Sequence, residues 1–212
     1  MIRFVALMAV FLGIAGAPAL AQELSGGDEG FDSPTFQSFL GSEYAGRLRR
    51  EALERSIILH QPACVETPDF EVIGTWPVSP IIMTDGAVAP TEGMWRERLT
   101  NTACEETVTE NLVHTFTSDG QRTFLLVRGR TEAELETQLT LINDARDVAA
   151  ADDNARGCDI IRFTDTSVST RYGDGRWQER WTVNACGEEF DLDILLEAHE
   201  GSATTYSISA AN

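Results

Sequence analysis

Gly175-Arg176-Trp177-Gln178-Glu179-Arg180-Trp181-Thr182-Val183-Asn184-Ala185-Cys186 repeats words used earlier in the chain, at Gly93-Met94-Trp95-Arg96-Glu97-Arg98-Leu99-Thr100-Asn101-Thr102-Ala103-Cys104. Gly, Trp, Glu, Arg, Thr, Ala and Cys recur in register without a gap. A match this dense in so short a window marks an internal duplication. Both copies have the alternation and the aromatic and β-branched content of strands. Because side chains alternate across a strand, Trp177, Glu179, Trp181 and Val183 share one face, and Arg176, Gln178, Arg180 and Thr182 the other. The first copy sets Trp95, Glu97 and Leu99 against Arg96, Arg98 and Thr100. Each copy therefore places a carboxylate among large apolar neighbours, where an unpaired charge is costly.

The order around the two copies repeats as well. Ser42–Gln61 is predicted as a helix capped by Ser42 and stopped by Pro62, with Cys64 directly after it. Its apolar stripe is Ala45, Leu48, Ala52 and Leu59, with Ile58 beside it. A second helix opens at Thr131, where Thr131-x-x-Glu134 fits a capping box. Its stripe is Leu135, Leu139, Ile142, Ala145 and Ala149; Asp152–Gly157 ends it, and Cys158 follows. In the first half, strands are expected at Phe70–Trp76 and, edge-like because of Pro77 and Pro80, at Val78–Met83. Asp85–Gly93 is read as a hairpin insertion. Gly93–Ala103, Val108–Thr117 and Thr123–Val127 complete that half. In the second, strands are expected at Asp159–Phe163, Thr166–Tyr172, the Trp177 stretch, Phe190–Leu196 and Thr204–Ser209. Asp119-Gly120-x-x-Thr123 and Glu200-Gly201-x-x-Thr204 correspond, so the repeat runs to the last strand.

The fold class that follows is α+β: a tandem duplication in which each repeat packs one helix on a four- to five-stranded antiparallel meander and carries one disulfide. Repeat one spans residues 37–130 and repeat two residues 131–212. Residues 22–36, rich in Ser, Gly and acidic side chains, are expected to form a flexible leader. Residues 1–21 have the form of a signal peptide: Arg3, an apolar run from Phe4 to Ala17, and a small-residue cleavage signal at Ala19-x-Ala21. The mature protein is expected in the periplasm or outside the cell, without membrane insertion after cleavage.

Export makes disulfides the natural fate of Cys64, Cys104, Cys158 and Cys186. Three pairings are open, and the duplication selects Cys64–Cys104 and Cys158–Cys186. In the chain-entropy model each is worth roughly 3–4 kcal/mol. No CxxC pair occurs and the histidines are scattered, so neither a metal nor a cofactor is expected. The formal net charge is −18, and every basic side chain is arginine. Nucleic acid is thereby disfavoured as a partner.

Trp177-Gln178-Glu179-Arg180-Trp181-x-x-x-x-Cys186-Gly187, followed by Gly201-x-x-Thr204-x-Tyr206, resembles a group of small exported proteobacterial proteins. The resemblance covers roughly Cys158–Ser209. The first repeat departs from it, with Leu99 in place of the second Trp and Glu105 in place of the Gly. It implies export and the disulfide unit, and it supplies no reaction or ligand.

Three functional readings follow. A duplicated disulfide scaffold without a reactive constellation points to a non-catalytic binder of a protein or cell-envelope component. Glu97 and Glu179, if they converged on a cleft, would suit an envelope glycan hydrolase. Trp76, Trp95, Trp177 and Trp181, with Arg180, would suit a small-ligand groove. Against catalysis stands the expectation that each glutamate is neutralised by arginine or backbone N–H groups, with Arg47, Arg50 or Arg55 serving repeat one and Arg146, Arg156 or Arg162 serving repeat two. His60, His114 and His199 sit beside no nucleophile motif. Asp152-Asp153-Asn154 is an acidic helix end that lacks the ligand spacing of a calcium loop. Arg96, Arg98, Arg176 and Arg180 are expected to pair with nearby carboxylates rather than to hold an anion.

Overall fold

The structure, a computed structural model, describes residues 28–84 and 86–211. The expected signal segment and the start of the leader lie outside the described residues. The rest of the leader is helical, contrary to the reading from composition. Helix α1 spans Asp28–Phe31 and α2 Pro34–Leu40. Ser33 caps α2 by accepting the Phe36 N–H, and Pro34 takes the first helical position, where its missing donor costs nothing. Phe36 and Phe39 are buried and set their rings edge-on to Trp95. Aromatic burial thus overrides the polar composition around it.

Helix α3 (Glu43–His60) starts where Ser42 accepts the Ala45 N–H, as expected. Its buried face is Ala45, Leu48, Arg49, Ala52, Leu53, Ser56 and Ile57. Ile58 and Leu59, placed on the stripe by sequence, are exposed. Against this helix lies a sheet of β1 (Asp69–Ile82), β2 (Glu92–Ala103), β3 (Glu106–Thr117) and β4 (Gly120–Leu125), antiparallel and in sequence order. β1 is one strand rather than two. Pro77 and Pro80 survive within it because β1 pairs only with β2 and absorbs its irregularities as register shifts around Ser79.

Helix α4 (Leu135–Ala151) buries Thr137, Gln138, Leu141, Ala145 and Ala149, while Leu139 is exposed. The expected capping box does not form. Glu134 is the N-cap and makes no side-chain cap, and Thr131 accepts the Ala133 N–H instead. The second sheet orders β5 (Ile161–Arg171), β6 (Arg176–Ala185), β7 (Glu188–His199) and β8 (Ser202–Ala210). β5 takes in both segments read as separate strands, with a bulge between Phe163 and Asp165. Each sheet therefore has four strands. Its core gathers Leu141 and Ala145 from α4 with Trp181, Val183, Leu192 and Ile194 from β6 and β7.

The molecule is thus α+β with a repeated sheet unit, and the repeat extends to the register. The β2–β3 hairpin pairs Ala103 with Glu106, and the β6–β7 hairpin pairs Ala185 with Glu188. Counting back from those turns, Glu97 and Glu179 occupy the same rung, opposite Leu112 and Ile194. Disulfides join Cys64 to Cys104 and Cys158 to Cys186, so each ties the segment after a helix to a hairpin turn. The units meet at Arg128–Arg130 and Thr166. Arg130 N–H donates to the Thr166 carbonyl, and the Thr166 hydroxyl donates to the Arg128 carbonyl. Gly129, at φ 85°, fits here because a Cβ would lie 2.2 Å from the Thr166 oxygen.

Candidate functional site

The two glutamates that carried the hydrolase reading are both fully buried. Glu97 is held by Arg49, whose Nε and Nη2 each lie 2.7 Å from one carboxylate oxygen, a bidentate fork. His114 Nε2 is 3.2 Å from Oε2, and the Trp95 indole N–H donates to Oε1 at 3.3 Å. Burial pushes this carboxyl up, but the Arg49 and His114 hydrogen bonds and charges outweigh it and hold the pKa at about 2. The partner is Arg49 rather than Arg47, Arg50 or Arg55. Arg49 follows Ala45 by four residues and precedes Leu53 by four, so it stands on the helix face that meets the sheet.

Glu179 is in none of the ion pairs among the described residues: Arg146, Arg156 and Arg162 do not reach it, and Arg96 and Arg98 act on it only through space. Its Oε1 accepts from the Trp177 indole at 2.9 Å, the Thr131 hydroxyl at 3.1 Å and the Glu132 backbone N–H at 2.7 Å. Its Oε2 accepts from the Trp181 indole at 3.0 Å. The Trp-x-Glu spacing is thereby explained. Residues two apart on a strand face the same side, roughly 6.8 Å apart, within reach of an indole N–H. Both carboxylates act as acceptors inside a core, with no access to a substrate.

The tryptophans do not form a groove. Trp95 and Trp181 are buried, and Trp177 packs against the second core. Arg180 pairs with Asp193 at 3.2 Å and lies 3.9 Å from Asp191. Arg176 pairs with Asp174. His114 is spent on Glu97 and Thr123, and His199 contacts Thr205 on the β7–β8 hairpin. His60, at the end of α3, is lowered to about 4 by burial and by the charges of Arg128 and Arg162. Asp152 caps the short 3-10 turn that follows α4 by accepting the Asn154 N–H. Among the described residues, no group of three or more His, Cys, Asp or Glu side chains could hold a metal ion.

Sequence reasoning missed a third buried carboxylate. Glu110 on β3 accepts from Ser56 at 2.6 Å and from Arg128 Nε at 2.9 Å. Burial raises its pKa against the pull of Arg128 and Ser56. The matching rung of the second sheet, opposite Trp181, holds Leu192. Comparing the third strands of the two repeats, rather than the second alone, would have revealed it.

An open region lies where the outer face of the first sheet meets the start of α4. A cleft of about 440 Å³ is lined there by Trp76, Val78, Arg96, Arg98 and the α4 residues Glu134–Glu136. Arg98 also lines a neighbouring cleft of about 630 Å³ with Arg130 and Arg171. Arg171 is paired with Glu132. Arg96, Arg98 and Arg130 take part in none of the ion pairs among the described residues. Arg96 Nη2 and Arg98 Nε instead converge on one neutral oxygen, Asn111 Oδ1, at 3.4 and 3.2 Å. The Asn111 amide is aimed by its own donations to the Val127 and Gly129 carbonyls. Arg96 Nε is buried without an acceptor. Burial and the adjacent Arg98 lower the Arg96 pKa to about 10 against the opposing charge of Glu179, and burial followed by Arg130 lowers that of Arg98 against Glu132 and Glu179. Both guanidiniums remain charged at neutral pH.

The same rung of the second sheet pairs Arg180 with Asp193, where the first pairs Arg98 with Asn111. The expectation that these arginines find carboxylates therefore holds for Arg176 and Arg180 and fails for Arg96 and Arg98. Compared with protein-family models, curated proteins and solved structures, the chain gives no significant match in any of the three.

Proposed function

We propose that this is an exported, non-catalytic binding protein, periplasmic or secreted, built by tandem duplication of one α+β unit with a disulfide in each copy. It binds a cell-envelope component or partner protein at the junction of the two units. The observation that carries this reading is the Arg96–Arg98 pair, which lines an open cleft and takes part in none of the ion pairs among the described residues. In a chain of 34 acidic and 16 basic residues, intramolecular partners are abundant. Two neighbouring arginines that form no direct ion pair in such a chain, held beside an open cleft, support binding over packing. The disulfides fit an oxidising compartment, and the Ala19-x-Ala21 signal supplies the route. The likeness to small exported proteobacterial proteins belongs to the same proposal.

Glycan hydrolysis finds no support, because Glu97 and Glu179 are fully buried and already saturated with donors. The test has two parts. Fractionation of a bacterial host, with N-terminal sequencing, is expected to give a chain starting at Gln22 in the periplasm or medium. The purified chain is expected to release no product from envelope glycan. Turnover that Glu97→Gln or Glu179→Gln abolishes would overturn the reading, as would a chain retained in the cytoplasm.

A further inference from the structure

We infer that the cleft between β1, β2 and the start of α4 is a binding site for a small organic monocarboxylate with a flat apolar body, which Arg96 and Arg98 hold by its carboxylate. The inference rests on the reading of the chain as a non-catalytic binder and takes a small molecule, in place of a protein, as what this cleft holds. Three independent features converge. The first is the pair of guanidiniums, two residues apart on one strand face, which share the Asn111 Oδ1 while Arg98 Nη2 also donates to the Thr131 carbonyl at 3.1 Å. Planar forks of this kind suit a carboxylate. The second is the N-terminus of α4, a 17-residue helix whose N-cap Glu134 makes no side-chain cap. Glu134, Leu135 and Glu136 at its start line the cleft, at the positive end of the helix dipole. The third is an apolar plate. Trp76 is exposed, with the Arg98 guanidinium 5.7 Å from its ring centroid, and Val78 and Leu135 continue the surface.

Glu134 and Glu136 on the same wall decide the charge of the ligand. They disfavour a dianion such as phosphate and tolerate a single negative charge at the arginine side. A cleft of about 440 Å³ accommodates a carboxylate with one aromatic or branched substituent. Asn111 is the element that keeps the site open. With an aspartate on that rung, as at Asp193, Arg98 would gain a direct ion pair as Arg180 has.

The test is calorimetric titration of the mature oxidised chain with 3-phenylpropionate, its amide, and inorganic phosphate. The acid is expected to bind, with the amide and phosphate at least tenfold weaker. Arg96→Gln is expected to weaken the acid at least tenfold while leaving the melting temperature nearly unchanged, because the second unit carries Gln178 on the matching rung. Arginine Nε–H resonances of the unmodified protein give a readout that needs no variant: those of Arg96 and Arg98 should move with the acid and stay with the amide. Equal affinity for acid and amide, phosphate binding as tight as the acid, or unmoved Arg96 and Arg98 signals would each overturn the assignment. Failure here with no glycan turnover would reject the ligand class alone; glycan turnover would reject the binding reading itself.

Discussion

Glu97 and Glu179 stand on the same rung of sheets with the same strand order, and they are held by opposite means. In the first unit the carboxylate faces a cation. Arg49 reaches it from α3, and His114 reaches it from β3, stacked on Trp95 at 4.9 Å. In the second unit the donors are neutral: two indoles, a hydroxyl and a backbone N–H. The exchanges are local and matched. Leu99 stands where the second unit has Trp181, and His114, opposite Trp95, stands where Leu196 faces Trp177. A buried acceptor is satisfied by count and geometry of donors, and charge is one way among others to supply them. The comparison also shows that the motif's conserved feature within this chain is the indole-to-carboxylate bond, since Trp95–Glu97 and Trp177–Glu179 share it.

The largest effect that would break this contrast is the loss of Arg49. Arg49→Ala leaves Glu97 buried without its cation and is expected to cost about 3–5 kcal/mol, read by urea denaturation. The pH dependence follows with a definite sign. The folded carboxyl sits at about 2 against an ordinary 4.5, so the unfolded chain takes up the proton first as pH falls. The stabilisation from this group is present above pH 4.5 and is lost as pH drops toward 2. Glu97→Gln is expected to flatten that part of the acid-denaturation profile. A profile unchanged by Glu97→Gln would show that the Arg49 fork does not govern acid stability.

The corresponding loss in the second unit is smaller. Thr131→Ala removes one of four donors to Glu179 and frees the Ala133 N–H, with an expected cost of about 1.5–2 kcal/mol. Should it match or exceed Arg49→Ala, the distinction between charged and neutral compensation would fail.

Much of this architecture was legible because alternation and turn chemistry are written locally. The strands, the hairpin at Asp119-Gly120, the Ser42 cap and the burial of the Trp95 and Trp177 rungs all rest on neighbours in sequence. What the pattern missed depends on distant partners. The polar composition of the leader hides helices α1 and α2, which are held by the packing of Phe36 and Phe39 on Trp95 of β2. Pro77 reads as a strand break until β1 is known to be an edge. Arg49 is one of several arginines on α3, and only its spacing from Ala45 and Leu53 sets it apart from Arg47, Arg50 and Arg55. The open cleft was hidden for a similar reason. Its cause is Asn111, an ordinary residue that gains meaning only when set beside Asp193 on the matching rung.

The smallest predicted effect tests whether the two units obey the same local rules at their hairpin turns. Cys104 and Glu105 both adopt positive φ, at 49° and 66°, as do Cys186 and Gly187, at 53° and 100°. Two-residue hairpins of this kind favour glycine at the second position, because side chains with a Cβ are strained there. The second unit has that glycine and the first has Glu105, whose side chain makes none of the hydrogen bonds or ion pairs found among the described residues. Left-handed backbone costs a non-glycine residue about 1–2 kcal/mol, partly offset by the greater freedom glycine has in the unfolded chain. Glu105→Gly is therefore expected to stabilise the protein by about 0.5–1 kcal/mol, seen as a small rise in melting temperature with both disulfides intact. Gly187→Glu should lower stability by a similar amount. If Glu105→Gly destabilises instead, the strain in the first turn must be compensated by the Cys104 N–H, which donates to the Glu66 carboxylate at 2.6 Å and anchors that turn in a way the second unit lacks.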